Sequence, residues 1–600
     1  MSSDLNDCSS FQELHQRWKF GQNTSTAETD KWLRSQKNLI TKLELSAVLQ
    51  GHTGCVNTVE WNETGDLLVS GSDDQQIIVW NQDGDEITSF DSGHRGNIFA
   101  AKFMRNCNDS KVVSGAADGS VIVNQWRSCE SGCSDMLCRW KESRRVKQVV
   151  LDQTCDDCFF SCSEYGEIYA YDIRTKDPTL LVHTDQSVKS LATCLVKPTW
   201  LAAAFDRDGI KIFDLRKMDD SLLTLATAHS RIMDRGSSMI ATYIEFNKAG
   251  TELLANYHND SVYLYNVSLD KSAGPKFAER LEYIRTRQDL QNEDDPHVVL
   301  KNPHFEAQLK EADEFVLINN YIKSVETYSR CIAQIEDEWT KDTATKEQKA
   351  ELAILYQKRA ESYFKRGYCG DAMEAIRDFV RSLELFPMNK EATTGVLDSL
   401  IEYRQMTKVK QWKTILNDRF ATNYDFQEDN PNGKKTRPWS ILTMRSTRDY
   451  SQRFLGAKNS RTDIKQARFC GGNNEFIVAG SDCGHLFIWE RSTGNIIRLL
   501  KADDHVLNCV APHPKIPLLA TSGIEKYVRL WSPLFTDDKE KYSVYAPENK
   551  QTWLQRDDTN AVDDIVIENT RIERRFTPMD MIRFAVMDER SGQIMNCRPS

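Results

Sequence analysis

The sequence predicts a mainly β protein with an α insertion: a ring of seven four-stranded blades, interrupted by a stack of helix pairs. Two observations lead to this prediction. Short strand-like segments bounded by turn residues recur at a spacing of about 40 to 45 residues. In one long interval, apolar residues follow helical spacing instead of alternating. The chain is therefore expected to contain two kinds of repeat, one inserted into the other.

The clearest blade runs from Gly51-His52 to Trp80, which is the spacing of Gly-His and Trp in a WD40 repeat. Within it, VNTVEWN and LLVSGSDDQQIIVW are predicted strands, and turns lie at 63–66 and around Asp74. Because buried polar groups need partners, we expect His52, Asp74 and Trp80 to form a buried hydrogen-bonded set. This set is predicted to fix the blade and not to perform catalysis.

The other blades are counted from the aromatic residue, or its equivalent, near the end of the third strand. Seven such positions fit a closed WD40 β-propeller, because an open ring leaves strand edges exposed. The apolar segment 43–49 precedes the first Gly-His and is predicted to be the outer strand of blade seven. After Trp80, the positions are Asn124, Tyr171, Phe213, Tyr265, Trp489 and Trp531.

Blades two and three are predicted to be less regular than blade one. Blade two keeps His94 and Asp118 but has Asn124 where the Trp belongs. Blade three has Arg144 and Arg145 near the Gly-His position.

The long interval between Tyr265 and Trp489 equals one blade plus roughly 180 residues, so the insertion is predicted between blades five and six. Its first hairpin follows the 34-residue tetratricopeptide (TPR) pattern, in which small residues let two helices approach closely. A second hairpin fits with three extra residues, and a third, with Leu397 at a small-residue position, is predicted to be a capping pair. The first hairpin carries Ala312, Phe315, Ser324, Tyr328 and Cys331 at the pattern positions.

These patterns divide the chain into seven segments. An N-terminal helical docking segment is followed by blades one to five, a linker, the TPR-like insertion, a second linker, blades six and seven, and a tail. In the tail, 537–564 is predicted to be loop and 569–587 to hold a short helix. The boundaries, in that order, are 1–42, 43–267, 268–300, 301–425, 426–440, 441–533 and 534–600.

The N-terminal segment is predicted to contain two helices. Ser10 to Glu13 has capping-box spacing, and Phe11, Leu14 and Trp18 follow at helical intervals; a second helix contains Trp32. Two interpretations remain open at this point. The helices either cover the underside of the propeller or insert their aromatic residues into a groove of a partner.

Composition limits the classes of function. The net charge of −11 disfavours sequence-independent binding to nucleic acid, and the chain shows no secretory signal or apolar membrane span. No phosphate-binding loop, dinucleotide fingerprint, nucleophile elbow or zinc-protease motif is present, so we do not expect an enzyme. The 16 scattered cysteines suit a reducing compartment, which predicts cytoplasm and nucleus.

One cluster of cysteines is a candidate metal site. It includes a Cys-x-x-Cys pair, which chelates zinc where four thiolates converge. Because Cys158 and Cys162 fall on or beside a predicted strand of blade three, ordinary packing is the favoured interpretation. We predict no metal and no cofactor. The cluster consists of Cys129, Cys133, Cys138, Cys155, Cys158 and Cys162.

The chain resembles the WD and tetratricopeptide repeat family, sometimes called adipose. The resemblance rests on LQGHTGCVNTVEWNETGDLLVSGSDDQQIIVW, SGAADGSVIV, KAGTELLANY, TDIKQARF, HPKIPLLATSGIEKYVRLW and the C-terminal Cys-Arg-Pro-Ser. It covers both halves of the propeller and the insertion. The family implies a substrate receptor of the cullin-4 ubiquitin ligase, held by the adaptor, the damage-specific DNA-binding protein subunit of that ligase.

Such receptors often carry a Trp-Asp-x-Arg box at the ends of adjacent blades. The resemblance carries this role to Asp172 and Arg174 and to Asp214 and Arg216, although Tyr and Phe replace the Trp. It also implies that the N-terminal helices dock in the adaptor. An Arg beside an Asp can equally be an ion pair within the blade, and both interpretations can hold together.

The resemblance further implies a role in limiting fat storage and binding to histones and histone deacetylase. The alternative to a ligase receptor is therefore a chromatin-associated corepressor scaffold that binds histone tails independently of ubiquitin. In either case the protein substrates are unknown. Co-purification of the adaptor would separate the two hypotheses.

Overall fold

A computed structural model describes most of the propeller, most of the helical insertion and one short helix near the C-terminus. The described residues are 31, 33–127, 134–227, 240–269, 284, 303–338, 345–368, 370–402, 406–420, 447–533 and 562–569.

The described strands form seven separate sheets, which are the blades of a β-propeller. Within each blade, the first strand lies at the centre of the ring and the fourth at its rim. First strands of successive blades contact one another, and the first strand of blade seven contacts that of blade one. The ring is closed, so the predicted seven-bladed WD40 propeller with a helical insertion is confirmed.

Blades one to four are built from continuous chain. Blade four has a fifth strand, Thr447–Arg448, which runs parallel to its outer strand. The strands are Val56–Trp61, Leu67–Ser72, Gln76–Asn81 and Glu86–Asp91 in blade one; Ile98–Phe103, Lys111–Ala116, Ser120–Trp126 and Ser134–Lys141 in blade two; Val146–Leu151, Cys158–Ser163, Glu167–Asp172 and Thr179–His183 in blade three; and Val188–Thr193, Trp200–Phe205, Gly209–Asp214 and Lys217–Leu225 in blade four.

Blades five and seven combine strands that are distant in sequence. The outer strand of blade seven is Leu43–Gln50, in which Leu45 pairs with Trp531, so that prediction is confirmed. The strands are Ala241–Phe246, Glu252–Tyr257, Val262–Asn266 and Gln452–Phe454 in blade five; Ala467–Cys470, Phe476–Gly480, His485–Glu490 and Ile496–Lys501 in blade six; and Leu507–Pro512, Leu519–Gly523, Tyr527–Pro533 and Leu43–Gln50 in blade seven.

The position of the insertion differs from the prediction. Val262 pairs with Phe454 and Leu264 with Gln452, so the outer strand of blade five follows the insertion. The helices therefore interrupt blade five between its third and outer strands, and do not lie between blades five and six. The outer strand has only three residues, too few for alternation to identify it in the sequence.

The described part of the insertion contains six helices, each packed against the next. Small residues of the TPR pattern, among them Ala312, Ser324 and Ala360, are fully buried where the helices meet. Within the described residues, no helix is long and apolar enough to cross a membrane. The helices are α2 (Pro303–Leu317), α3 (Tyr321–Glu338), α4 (Lys346–Arg366), α5 (Asp371–Leu385), α6 (Lys390–Glu402) and α7 (Met406–Phe420), and α1 (Lys37–Ile40) precedes the propeller.

A buried ionic contact joins the insertion to the ring. Asp371, the first residue of α5, has a fully buried side chain that accepts hydrogen bonds from Arg366 of α4 and from Arg453 of blade five. Close by, Arg377 lies 2.5 Å from Asp449 and 3.5 Å from the ring centre of Tyr450. The helices are therefore held against blade five by charged side chains as well as by the chain connection.

The C-terminal segment predicted as loop, 537–564, ends in a helix, whereas the predicted helix of 569–587 lies, after Asn569, outside the described residues. Residues 562–569 form helix α8, and its side chains Val562 and Val566 pack into the apolar cluster of blades five and six. The Nδ2 of Asn569 donates to the carbonyl of Gly456 at 2.7 Å. This helix is stabilised because its apolar side chains are buried against the propeller. The rest of 534–600 lies outside the described residues.

The predicted polar set of blade one forms a connected chain of hydrogen bonds. His52 Nδ1 lies 3.0 Å from Asp74 Oδ2, and its Nε2 lies 2.8 Å from Ser70 Oγ, which also accepts from Trp80 Nε1 at 2.8 Å. Burial alone would raise the pKa of Asp74, but hydrogen bonds from His52 and the Thr53 amide lower it to about 2. Ser70, which the sequence analysis did not single out, is the link between His and Trp.

The other blades vary this set. In blade two, His94 lies 3.3 Å from Asp118 and 2.9 Å from Ser114, while Asn124 donates to the carbonyl of Ser92. Trp531 of blade seven donates to Thr521 Oγ1, and Trp489 of blade six donates to the carbonyl of Leu455. Each of these side chains therefore has a partner inside the propeller.

Replacing Ser70 with Ala is expected to lower the free energy of unfolding by about 1–3 kcal/mol, because His52 and Trp80 would lose a buried partner. Chemical denaturation measures this change. Ser89 on the outer strand of the same blade is half-buried, and Ser89→Ala is expected to cost less than about 0.5 kcal/mol. Equal effects of the two substitutions would contradict the role given to Ser70.

Candidate functional site

The predicted boxes lie on one face of the propeller. Adjacent strands of a blade are antiparallel, so the connections between first and second strands and between third and outer strands share one end of the ring. We call this end the lower face. Asp172 and Asp214 are the last residues of the third strands of blades three and four, so both boxes lie on the lower face.

In the first box, Asp172 holds Arg174 through three hydrogen bonds. Arg174 Nε donates to Asp172 Oδ1 at 2.8 Å and its Nη2 donates to Oδ2 at 2.7 Å, while the Arg174 amide donates to Oδ1 at 2.9 Å. These side-chain and backbone hydrogen bonds lower the pKa of Asp172 to about 2. The Arg174 side chain is nevertheless 62% exposed.

The second box repeats this geometry on the neighbouring blade. Arg216 donates to Asp214 from Nε at 2.9 Å, from Nη2 at 2.6 Å and from its amide at 3.0 Å. The same bonds lower the pKa of Asp214 to about 2, and the Arg216 side chain is 75% exposed. Tyr171 and Phe213, which replace the Trp of the family pattern, are buried beneath the boxes.

Each aspartate orders an arginine side chain but binds only part of its guanidinium group. The carboxylate binds one edge of the guanidinium, and no acceptor among the described residues contacts Nη1 of Arg174 or Arg216. A side chain that is already ordered loses less conformational entropy when a partner binds. The ion pair within the blade is therefore compatible with a docking role. The pair fixes the orientation of the arginine side chain. The other edge of the guanidinium can bind a carbonyl or carboxylate of a partner.

An exposed apolar pair lies beside the second box. Leu195 and Val196, in the connection between the first and second strands of blade four, are 63% and 58% exposed. The Leu215 amide donates to the Thr199 carbonyl at 2.8 Å, which ties this connection to the turn that carries Arg216. The sequence analysis missed this pair. Two adjacent apolar residues shortly before Pro198 are the signal that could have revealed it.

The described end of the N-terminal segment lies on the same face. Lys37 of α1 is 2.6 Å from Glu490 of blade six, and the carbonyl of Lys31 approaches Gly472 so closely that no Cβ would fit there. Leu33 is fully buried, and Ile40 packs with the apolar residues of blade six. Residues 33–40 therefore cover the underside of the propeller. Phe11, Leu14, Trp18 and Trp32 lie outside the described residues, and their docking role stays a prediction.

The described cysteines of the cluster are spread over blades two and three. Cys138 lies on the outer strand of blade two, and Cys162 is fully buried on the second strand of blade three. Cys155 and Cys158 face each other, with 2.8 Å between their sulfur atoms. Among the described residues, no group of three or more His, Cys, Asp or Glu side chains could hold a metal ion. Cys129 and Cys133 lie outside that part of the chain.

The fold and the lower face together define a class: a WD40 propeller with a helical repeat insertion, a fold built for binding proteins. The family model described as WD domain, G-beta repeat matches residues 43–81. WD and tetratricopeptide repeats protein 1 of Homo sapiens is 28% identical over 82% of this chain and 85% of its own length. The same protein of Mus musculus matches over the same shares. The resemblance to the WD and tetratricopeptide repeat family is thereby confirmed.

Two more distant relatives extend the comparison. Protein ALTERED SEED GERMINATION 2 of Arabidopsis thaliana is 24% identical over 84% of this chain and 88% of its own length. DDB1- and CUL4-associated factor 6 of Homo sapiens is 23% identical over 87% of this chain and 91% of its own length. The similarity to these proteins spans both halves of the propeller and the insertion.

Proposed function

We propose that this chain is a non-catalytic substrate receptor of a cullin-4 ubiquitin ligase, held by the adaptor through the lower face of its propeller. The observation that carries the proposal is the pair of boxes, each presenting an exposed arginine that its own aspartate holds in place. The name of the relative DDB1- and CUL4-associated factor 6, which matches along most of the chain, supports the same partner.

Two further features of the lower face support a protein partner there. Leu195 and Val196 add apolar area next to Arg216, and interfaces combine an apolar centre with a polar rim. Arginine is enriched in the residues that dominate binding energy. The described end of the N-terminal segment contacts blade six on this face.

In this role the chain would contribute proximity and not chemistry. One surface is held by the ligase while another binds the target, which raises the effective concentration of target lysines near the transfer machinery. We assign the target surface to the opposite face of the ring, which the adaptor would leave free. Regulation of fat storage, binding of histones and deacetylase, and residence in cytoplasm and nucleus stay predictions.

The test is a binding measurement between purified full-length chain and purified adaptor. Replacing both Arg174 and Arg216 with Ala is expected to weaken binding by at least about tenfold, because two ordered donors are lost. Removing residues 1–30 is expected to weaken it further. This deletion stops short of the buried Leu33, so the propeller underside stays covered.

Arg207 provides the matched control. It is 59% exposed and paired with Asp185, but it lies on the opposite face of blade four, so Arg207→Ala should leave the affinity unchanged. Circular dichroism confirms that each variant is folded. No adaptor binding by the intact chain, or equal losses from the Arg207 and box variants, would overturn the proposal and favour the ubiquitin-independent corepressor.

A further inference from the structure

A pair of cysteine thiols lies against the first box. Cys155 stands in the connection between the first and second strands of blade three, and Cys158 is the first residue of that second strand, both on the lower face. Their sulfur atoms are 2.8 Å apart, and the Cys158 amide donates to the Cys155 carbonyl at 3.2 Å, which closes a tight turn. Both residues are half-buried, so small reagents in solvent can reach them.

The same turn contacts Arg174. The Arg174 Nη2 lies 3.6 Å from Cys155 Sγ, and its Nε lies 3.9 Å from Asp157 Oδ2. Asp157, which directly precedes Cys158 in the sequence, therefore also contacts Arg174. In the described part of the chain, no cysteine contacts Arg216, so only one of the two boxes has this connection.

We propose that Cys155 and Cys158 form a reversible disulfide by exchange with low-molecular-weight disulfides, and that this reaction loosens the hold on Arg174. The site is a modification site in its own right. Its consequence for adaptor docking rests on the proposed function.

The exchange is balanced in two steps. The Cys155 thiolate attacks one sulfur of glutathione disulfide, which forms a mixed disulfide and releases one glutathione thiolate. Cys158 then loses its proton to solvent as its sulfur attacks the Cys155 sulfur, and a second glutathione thiolate leaves. The two protein thiols are oxidised and one glutathione disulfide is reduced to two thiols. Burial and the neighbouring Cys155 raise the pKa of Cys158 to about 12, which assigns the second attack to Cys158.

Bond formation changes what Arg174 touches. A disulfide brings two sulfur atoms to about 2.05 Å, so the turn must tighten around residues 155–158. The Cys155 sulfur then turns toward Cys158 and away from the guanidinium, and Asp157 moves with the turn. Arg174 keeps its hydrogen bonds to Asp172 but loses these two weaker contacts, so its guanidinium is held less firmly.

The first measurement is thiol mapping of the full-length chain in glutathione buffers of increasing oxidised fraction. We expect Cys155 and Cys158 to lose reactivity toward an alkylating reagent together, and mass spectrometry to show them linked to each other. Cys107, half-buried in the corresponding connection of blade two, is the control and should stay reactive. Failure of the two thiols to link, or linkage to other cysteines in preference, would overturn the proposal.

The second measurement tests the effect on Arg174 without the adaptor. A dicarbonyl reagent that modifies arginine should react faster with Arg174 after oxidation, while Arg216 on the same molecule should react at an unchanged rate. The Cys155→Ser and Cys158→Ser double variant should lose this response. Unchanged Arg174 reactivity in the linked protein would overturn the coupling.

The third measurement is adaptor affinity in the reduced and linked states. Oxidation is expected to weaken binding by up to about fivefold, the range of an exposed ion pair, and the serine double variant should not respond. An adaptor affinity that is the same in both states would overturn the consequence for docking. Absence of adaptor binding in either state would instead overturn the proposed function, while thiol mapping and Arg174 reactivity would still decide the redox site.

Discussion

Replacing Asp371 with Ala is expected to lower the free energy of unfolding of the insertion and blade five by about 3–5 kcal/mol, because it would remove the buried carboxylate that two buried guanidinium groups share. Asp371 accepts from Arg366 at 2.9 Å through two bonds, from Arg453 at 2.5 Å and from the Tyr368 amide at 2.8 Å. Burial would raise the pKa of Asp371, but the two guanidinium groups hold it below its usual value.

Hydrogen exchange and chemical denaturation measure this effect, and exchange shows where it acts. We expect protection to fall first in α4, α5 and the outer strand of blade five, since Arg366, Asp371 and Arg453 join these elements. Asp337, an exposed acid at the end of α3, is the control, and Asp337→Ala should change stability by less than about 0.5 kcal/mol. Similar losses in both variants would contradict the assigned role of the network.

Replacing Glu142 with Gln is expected to stabilise the protein at pH 8 by up to roughly 3 kcal/mol and to have little effect near pH 5. Burial, opposed by hydrogen bonds from Ser161 and Tyr171, raises the pKa of Glu142 to about 7. Tyr171 OH donates to Glu142 Oε1 at 2.7 Å, whereas Oε2 is buried without a hydrogen-bond partner among the described residues.

The sign follows from proton binding. Between the unfolded pKa of 4.5 and the folded value of about 7, the folded state holds a proton on Glu142 that the unfolded state has released. The stability that this group contributes is therefore complete below pH 4.5 and is lost as pH rises through 7. A glutamine stays neutral and avoids this loss.

Denaturation curves of both proteins between pH 5 and pH 8 test the prediction. The difference between wild type and variant should grow steadily across this window. Glu86→Gln, an exposed substitution on the outer strand of blade one, should give a flat difference. A flat difference for Glu142→Gln as well would show that this carboxyl is not protonated in the folded state.

Glu142 also shows how far the sequence allowed the fold to be predicted. Periodic strands, turns and the spacing of His52, Asp74 and Trp80 identify seven blades because these signals are local. In blade three, Glu142, Ser161 and Tyr171 occupy the roles of His52, Ser70 and Trp80, but no motif marks a glutamate as the partner of a tyrosine. The prediction of an irregular blade was made from Arg144 and Arg145, whereas the chemical difference lies at residue 142.

The features of the candidate site likewise fall into those that the sequence could predict and those that it could not. The role of Arg174 and Arg216 is implied by the family resemblance, through a box of four consecutive residues, which is local in the sequence. Three other features depend on residues that folding brings together: the exposure of Leu195, the contact of Arg174 with the thiol pair and the burial of Asp371. None of these could be obtained from periodicity or composition.

The placement of the outer strand of blade five has a consequence for how the molecule can vary. Leu264 and Gln452 are direct partners in one hairpin, so everything between them is, in topological terms, a single enlarged loop. Its two ends meet within one blade, and the ring closes through strands outside it. The helical arm can therefore lengthen or shorten beyond the helices that contact blade five while the order of strands in the ring stays the same.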